Sequence, residues 1–357
     1  MLLNIILIFI LEKILWYILN RFLKFFQKGD KKIGLTETTK NNDLVFYDKI
    51  DQEKIISEIK NAKKCIYIQV YKFSILDNVK LIEAILNSSV KKKEIYTHIL
   101  HYYDIDIVLK HKFNKANVKL NYGFVHDKLI IIDDKIYILT GNLEKIDYEK
   151  KTICKTIGKF NEEMAYIDYM IEIKLNVDLY DEIVMRDNFV YNEDDDFYLI
   201  NNFNGISNIQ NIIKILLEAE KEIIIFPGYF AFLIPSDIIK ILQFIKTEKK
   251  IKITFVINGY YDKICFSFLE HIYVKYFLDF YSDLYIYPGC LHLKLIITDK
   301  NAIFSSFNFN CVSEFINTET SLIIPSKLKI YEVINEQIKE LLKRSTKVSY
   351  LRIPTPF

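Results

Sequence analysis

Cysteine is scarce and without pattern. Its five copies, Cys65, Cys154, Cys265, Cys290 and Cys311, are widely spread, odd in number and free of any Cys-x-x-Cys spacing. This speaks against a disulfide framework or a cysteine zinc site and fits reduced thiols in a cytosolic setting. Asparagine is plentiful, yet only Asn87-Ser88-Ser89 forms a glycosylation sequon, as expected of a chain that never enters the secretory lumen. An excess of charge is missing too: 48 Lys and Arg against 46 Asp and Glu leave +2, far from the balance of a dedicated nucleic-acid binder. Charge therefore does not choose a substrate. Nine glycines are present and none builds a phosphate-binding loop. A secretory signal is absent, because no positive charge precedes the first apolar run and no small residues close it.

What the chain does have is apolar mass. At 357 residues and 51% hydrophobic it can fill one large globular domain or two ordinary ones. Residues 1–26 are the most apolar stretch and read as a retained membrane anchor. Two arrangements are open. Residues 2–20 are long enough to span a bilayer, although Glu12 and Lys13 then sit near its middle at about 3 kcal/mol each. As an interfacial helix, the same stretch sets Lys13, Asn20, Arg21, Lys24 and Lys28 against Trp16, Leu19, Leu23 and Phe26. The positive charges follow the apolar run, which places the rest of the chain on the cytoplasmic side. Residues 27–44 are a polar tether.

From there a helix-then-strand pattern occurs twice. A helical face of Ile55, Ile56 and Ile59 leads into the strand Cys65–Phe73, and Ile212, Ile213, Ile215 and Leu216 lead into Glu222–Phe226, with Ala62 and Ala219 at equivalent places. Each half continues through a second helix and strand. The expected fold class is α/β, a tandem duplication with a period near 160 residues, the first half over 45–175 and the second over 201–357. The connector 176–200 carries the acidic run Glu193–Asp196, read as solvated, with a metal site as the weaker alternative because consecutive acids cannot all face one ion. Tyr331–Arg344 is an amphipathic closing helix.

The strongest internal match is Val125-His-Asp-Lys-Leu-Ile-Ile-Ile-Asp133, which returns 166 residues later as Leu291-His-Leu-Lys-Leu-Ile-Ile-Thr-Asp299. Both read His-x-Lys-x4-Asp. Gly123 and Gly289 stand three residues before the histidines, Asn142 and Asn308 nine after the aspartates, and Asn161-Glu162-Glu163 and Asn317-Thr318-Glu319 follow. The apolar run in each motif is a buried strand, and alternation puts His126 with Lys128, and His292 with Lys294, on one face of it. A histidine beside a lysine is a poor core and a good phosphate site. Two halves packed face to face would bring both motifs into one cleft.

These motifs resemble the phospholipase D superfamily over residues 45–345. Within it, an anchored member with short halves is most similar to the poxvirus-type envelope phospholipases and their cellular relatives. The resemblance implies two sheets flanked by helices, one active site at the interface of the halves, and no cofactor or metal. It gives His126, Lys128, Asn142 and Glu163, with His292, Lys294, Asn308 and Glu319, the catalytic roles, and makes Asp133 and Asp299 residues that help shape the site.

The chemistry of these side chains agrees. Two lysines and two asparagine amides can neutralise phosphoryl oxygens. One histidine can attack phosphorus while the other protonates the leaving alcohol and then activates water. Glu163 and Glu319 are placed to hold the second ring nitrogens. By resemblance His126 is the nucleophile, although near-symmetric sites could trade roles. Leu139-Thr140-Gly141 departs from the usual Gly-Ser turn, and the first half carries about ten extra residues between histidine and glutamate, over the lysine-rich segment 143–160. That segment is a solvated loop or a phosphate contact. Cys290 is a small buried residue or part of the site wall, and His98, His101, His111 and His271 read as surface or core residues. The expected partner is a phospholipid membrane, with a lipid head group as substrate. The alternatives are a nuclease acting on single-stranded DNA and a non-catalytic membrane scaffold.

Overall fold

The computed structural model describes residues 44–72, 78–98, 118–143, 152–153, 163–164, 167–174, 189–190, 197–201, 208–228, 236–258, 283–289, 291–309, 313 and 317–347. The apolar anchor, the tether up to residue 43, the acidic run Glu193–Asp196, Cys290 and most of segment 143–160 lie outside the described residues.

The first half forms β1 (Leu44–Tyr47), α1 (Gln52–Asn61), β2 (Cys65–Val70), α2 (Val79–Asn87), β3 (Lys92–His98), β4 (Val118–Gly123), β5 (Lys128–Ile132), β6 (Lys135–Leu139), β7 (Thr152–Ile153), β8 (Glu163–Met164) and β9 (Met170–Lys174). The second forms β10 (Phe189–Val190), β11 (Tyr198–Asn201), α3 (Asn208–Glu218), β12 (Glu222–Pro227), α4 (Ser236–Thr247), β13 (Lys252–Asn258), β14 (Asp283–Tyr287), β15 (Lys294–Thr298), β16 (Asn301–Ser305), β17 (Thr320–Pro325), α5 (Lys329–Arg344) and β18 (Thr346–Lys347). One mixed sheet runs β1-β9-β6-β5-β2-β3-β4, and the other runs β10-β11-β17-β16-β15-β12-β13-β14-β18. Seven strands of the second sheet repeat the order of the first, so the duplication expected from the motifs holds at the level of topology. The strands β10 and β11 correct the connector: the end of segment 176–200 is sheet edge, with β11 pairing antiparallel to β17 as β1 pairs to β9.

Local chemistry explains the elements. Asp51 caps α1 by accepting from the Lys54 amide at 2.9 Å, and the helix buries Ile55, Ile56 and Ile59. The motif strands β5 and β15 are buried along their whole length, as expected of β-branched runs covered on both faces. Alternation divides them between two layers. Leu129, Ile131, Leu295 and Ile297 enter a core shared by the two sheets, together with Phe226, Phe304 and Leu322. Ile130 and Ile132 pack under α1 and α2, and Ile296 under α3 and α4. The result is four layers, helix, sheet, sheet, helix. The closing helix α5 buries Ile334, Ile338 and Leu341 in the shared core. Each buried isoleucine or leucine contributes about 2 kcal/mol, and those in the shared core stabilise each half against the other.

The motif aspartates lie at the end of the sheets away from the histidines. Asp133 turns the chain from β5 to β6 with φ 54°, and its carboxylate accepts from the backbone amides of Lys63, Lys64 and Cys65 at 2.9, 2.8 and 3.1 Å. Asp299 accepts from Glu220 and Lys221 at 2.9 and 3.0 Å. Partial burial pushes the Asp299 carboxyl up, and the amide bonds from Lys221 and Glu220 outweigh it and hold the group below its ordinary value. These residues were expected to help shape the site. What the structure shows instead is that they fasten the starts of β2 and β12, about five residues or 16 Å along the strand from the motif lysines.

Candidate active site

Both motifs meet where the two sheets face each other. The lead-in to β5 pairs with the lead-in to β17, through the parallel bridge Val125 to Thr318 and the bond from the His126 amide to the Thr318 carbonyl at 3.0 Å. The mirror contact joins Ile167 to Leu291, with the His292 amide donating to the Ile167 carbonyl at 3.2 Å. Each histidine is thus set against the acid of the other half.

His126 is 9% exposed, and its Nδ1 lies 2.9 and 3.0 Å from the two carboxylate oxygens of Glu319. On its other ring nitrogen, Nε2, two donors converge: Lys128 Nζ at 3.3 Å and Asn308 Nδ2 at 3.4 Å. Lys128 Nζ also donates to the His126 carbonyl at 2.8 Å, which fixes the ammonium beside the ring. In the mirror position Lys294 Nζ donates to the His292 carbonyl at 2.9 Å and reaches across the halves to the Thr140 carbonyl at 3.2 Å.

The acid beside His292 is Asp168. Its Oδ1 lies 3.3 Å from His292 Nδ1, and its side chain is fully buried. Glu163 falls in the two-residue strand β8, five positions earlier. Matching details identify Asp168 as the counterpart of Glu319. Thr140 donates to Asp168 at 2.8 Å and accepts from the Tyr169 amide at 2.8 Å, while Ser306 donates to Glu319 at 2.5 Å and accepts from the Thr320 amide at 2.9 Å. The insertion hid this match: 42 residues separate His126 from Asp168, against 27 from His292 to Glu319. A usable signal was the acid standing just before the apolar strand that closes each half.

Two glycines make room for these groups. A Cβ on Gly141 would lie 1.9 Å from Asp168 Oδ2. Gly228 has φ +66°, and a Cβ there would lie 2.4 Å from Asn308 Oδ1. Asn142 follows Gly141 directly and its Oδ1 is buried. His98, read as a surface or core residue, is buried at the end of β3, and its ring packs on Tyr71, which packs in turn on His126.

Electrostatics follow from burial and from the lysines. Burial, then Lys128, Lys294, His292 and His98, push His126 well below its ordinary value. Burial and Lys294 push His292 down, and Asp168 pulls it partly back. Burial raises the Glu319 carboxyl to about 7. The resting His126 is therefore a neutral imidazole, its Nδ1–H given to Glu319 and its Nε2 lone pair turned toward two donors.

Comparisons with known proteins agree with this architecture. Residues 212–342 match the family model described as cardiolipin synthase, PLD-like domain, which is the second half of the chain. Among solved structures, the phosphatidylserine synthase of Haemophilus influenzae Rd KW20 is similar at TM-score 0.67 and 11% identity, over 88% of this chain and 89% of that one. The polyphosphate kinase of Porphyromonas gingivalis is similar at TM-score 0.55 and 12% identity, over 87% of this chain and 52% of that one. No curated protein matches the sequence. The second half thus matches a PLD-like family model, and the chain shares its duplicated α/β fold with these structures.

Proposed function

We propose that the chain is a phosphodiesterase of the phospholipase D type that works through a covalent phosphohistidine. The observation that carries this reading is the convergence of Lys128 Nζ and Asn308 Nδ2 on the Nε2 of a histidine whose Nδ1 is held by a buried carboxylate. A diester bound there has two of its phosphoryl oxygens beside donors and its phosphorus in front of a lone pair.

The steps use only these residues. His126 Nε2 attacks phosphorus and forms a P–N bond as the P–O bond to the leaving alcohol breaks. His292, whose imidazolium form the bound anionic diester favours against burial and Lys294, gives its Nε2 proton to the departing oxygen. Glu319 stabilises the positive charge that His126 gains, and Lys128, Lys294, Asn308 and Asn142 hold the phosphoryl oxygens. His292, now neutral, takes a proton from water; the hydroxide attacks phosphorus, breaks the P–N bond and returns His126 to its resting state.

The substrate in this reading is a phospholipid, cleaved between phosphate and head group. It is supported by the cardiolipin synthase description of the matching family and by the fold shared with a phosphatidylserine synthase, and by the apolar residues 1–26, which would hold the domain at the cytoplasmic face of a membrane. The finest form of the reading is the envelope-wrapping role suggested by the poxvirus-type resemblance. The experiment is hydrolysis of labelled phosphatidylcholine vesicles and of a labelled single-stranded oligonucleotide, in EDTA, by wild type and His292→Ala. Lipid turnover lost in the variant is expected. Oligonucleotide turnover lost in the variant would make the protein a nuclease, and activity on neither would leave a non-catalytic scaffold.

A further inference from the structure

Asp127 stands between His126 and Lys128, is fully buried, and has no part in the steps above. A buried carboxyl needs donors, and these come from both halves. The Gln69 amide donates to Oδ2 and the Thr320 hydroxyl to Oδ1, each at 2.5 Å, and Gln69 Oε1 accepts in turn from Tyr67. Burial pushes Asp127 up to about 6.

The duplication supplies its own control. At the mirror positions the chain has Leu293 for Asp127, Tyr169 for Thr320, Phe226 for Gln69 and Ile224 for Tyr67, all within the apolar core between the sheets. The fold does not need the carboxyl. Asp127 is the neighbour of His126, and Thr320 the neighbour of Glu319. Successive side chains of an extended segment point to opposite faces, so the Asp127 to Thr320 bridge holds on one face the two segments whose other face carries His126 and Glu319. The mirror pair lacks this second bridge, and its carboxylate lies 3.3 Å from the ring nitrogen in place of 2.9 Å.

We infer that Asp127, with Gln69 and Thr320, is a positioning residue that locks Glu319 on Nδ1 of His126 and so commits His126, and not His292, to nucleophilic attack. The commitment to attack rests on the phosphodiesterase reading above. A nucleophile has to hold its lone pair in line with the breaking bond to within a fraction of an ångström. The acid-base histidine meets an oxygen that itself moves, and a looser hold suffices.

The test compares wild type, Asp127→Asn, Asp127→Leu and Thr320→Val, with two readouts. The first is the burst rate of p-nitrophenol from bis(p-nitrophenyl) phosphate. The second is the Nδ1–H resonance of His126 in protein labelled with 15N-histidine, which needs no turnover. Asp127→Leu installs the residue of the mirror strip, and Thr320→Val removes one hydroxyl should the first variant not fold. Both are expected to slow the burst about tenfold or more with KM unchanged, and to move or broaden the Nδ1–H resonance. Asp127→Asn keeps the polar contacts and is expected to stay within about threefold of wild type. An unmoved resonance in Thr320→Val and Asp127→Leu overturns the brace, whatever the turnover. A resonance that moves in the two variants, beside a wild type that shows no burst, upholds the brace and contradicts the phosphodiesterase reading alone.

Discussion

At the scale of single residues the central group is Glu319, because its burial sets both activity and stability. Its carboxyl is raised from 4.5 to about 7, so the folded protein favours the protonated form. Activity needs the ionised form, which accepts from Nδ1 of His126. In the free enzyme kcat/KM is expected to fall as pH drops through about 7, and the His126 ring, held well below its ordinary value, is not the group that sets this limb. Stability runs the other way: the contribution of a raised carboxyl is present below its unfolded value of about 4.5 and is lost as pH rises through the folded value. Glu319→Gln is therefore expected to lose kcat by about a thousandfold yet to be more stable than wild type at pH 8 by about 1 to 3 kcal/mol. The gain should shrink toward pH 5, as read by denaturant unfolding at both pH values. His126, Lys128, His292, Lys294 and Glu319 were legible in the sequence because their spacing is fixed by the strands they enter. Asp168 was not, since the insertion broke the spacing and an aspartate does the work of a glutamate.

Among the elements, the turns decide the precision of the site. The exit of β6 passes Gly141 against the Asp168 carboxylate, and a Cβ there would overlap it. Gly141→Ala is expected to push Asp168 from His292 and to reduce turnover of substrates with poor leaving groups by about a hundredfold, while p-nitrophenyl substrates, which need no acid, suffer much less. Equal losses on both substrates would contradict the role of Asp168. At the far end of the sheets, Asp299→Ala removes acceptors for two backbone amides and is expected to destabilise by about 1 to 2 kcal/mol, with far less effect on kcat than His292→Ala. The sign of its pH dependence is fixed by its lowered value: the contribution is present above about 3.8 and is lost as pH falls further. Strands and helices were readable from period and apolar runs. The strands β10 and β11 were hidden by an acidic surrounding, because β11 takes its pairing from β17, more than a hundred residues on, and β10 takes its pairing from β11.

For the whole molecule, the site exists only between the halves. Glu319 serves His126 and Asp168 serves His292, and the core beneath both is shared by the two sheets. This could be expected from the repeat alone, because two copies of a half-site have one natural place to meet. The exchange of acids between halves could not, since it depends on parallel bridges between segments distant in sequence. Deleting residues 1–26 is expected to release the protein from phospholipid vesicles in a flotation assay while leaving hydrolysis of a soluble diester within about twofold of wild type; a truncated protein that still floats with the vesicles would place the attachment elsewhere.

The most direct measurement of the central claim is to trap the covalent intermediate with bis(p-nitrophenyl) phosphate in the His292→Asn variant. The leaving group departs without an acid and water is no longer activated, so the phosphoryl group should stay where it was transferred. A burst of one p-nitrophenol per chain, with the adduct on the His126 peptide by mass spectrometry under alkaline quench, is the expected result. No burst, or an adduct on any other residue, would contradict the account.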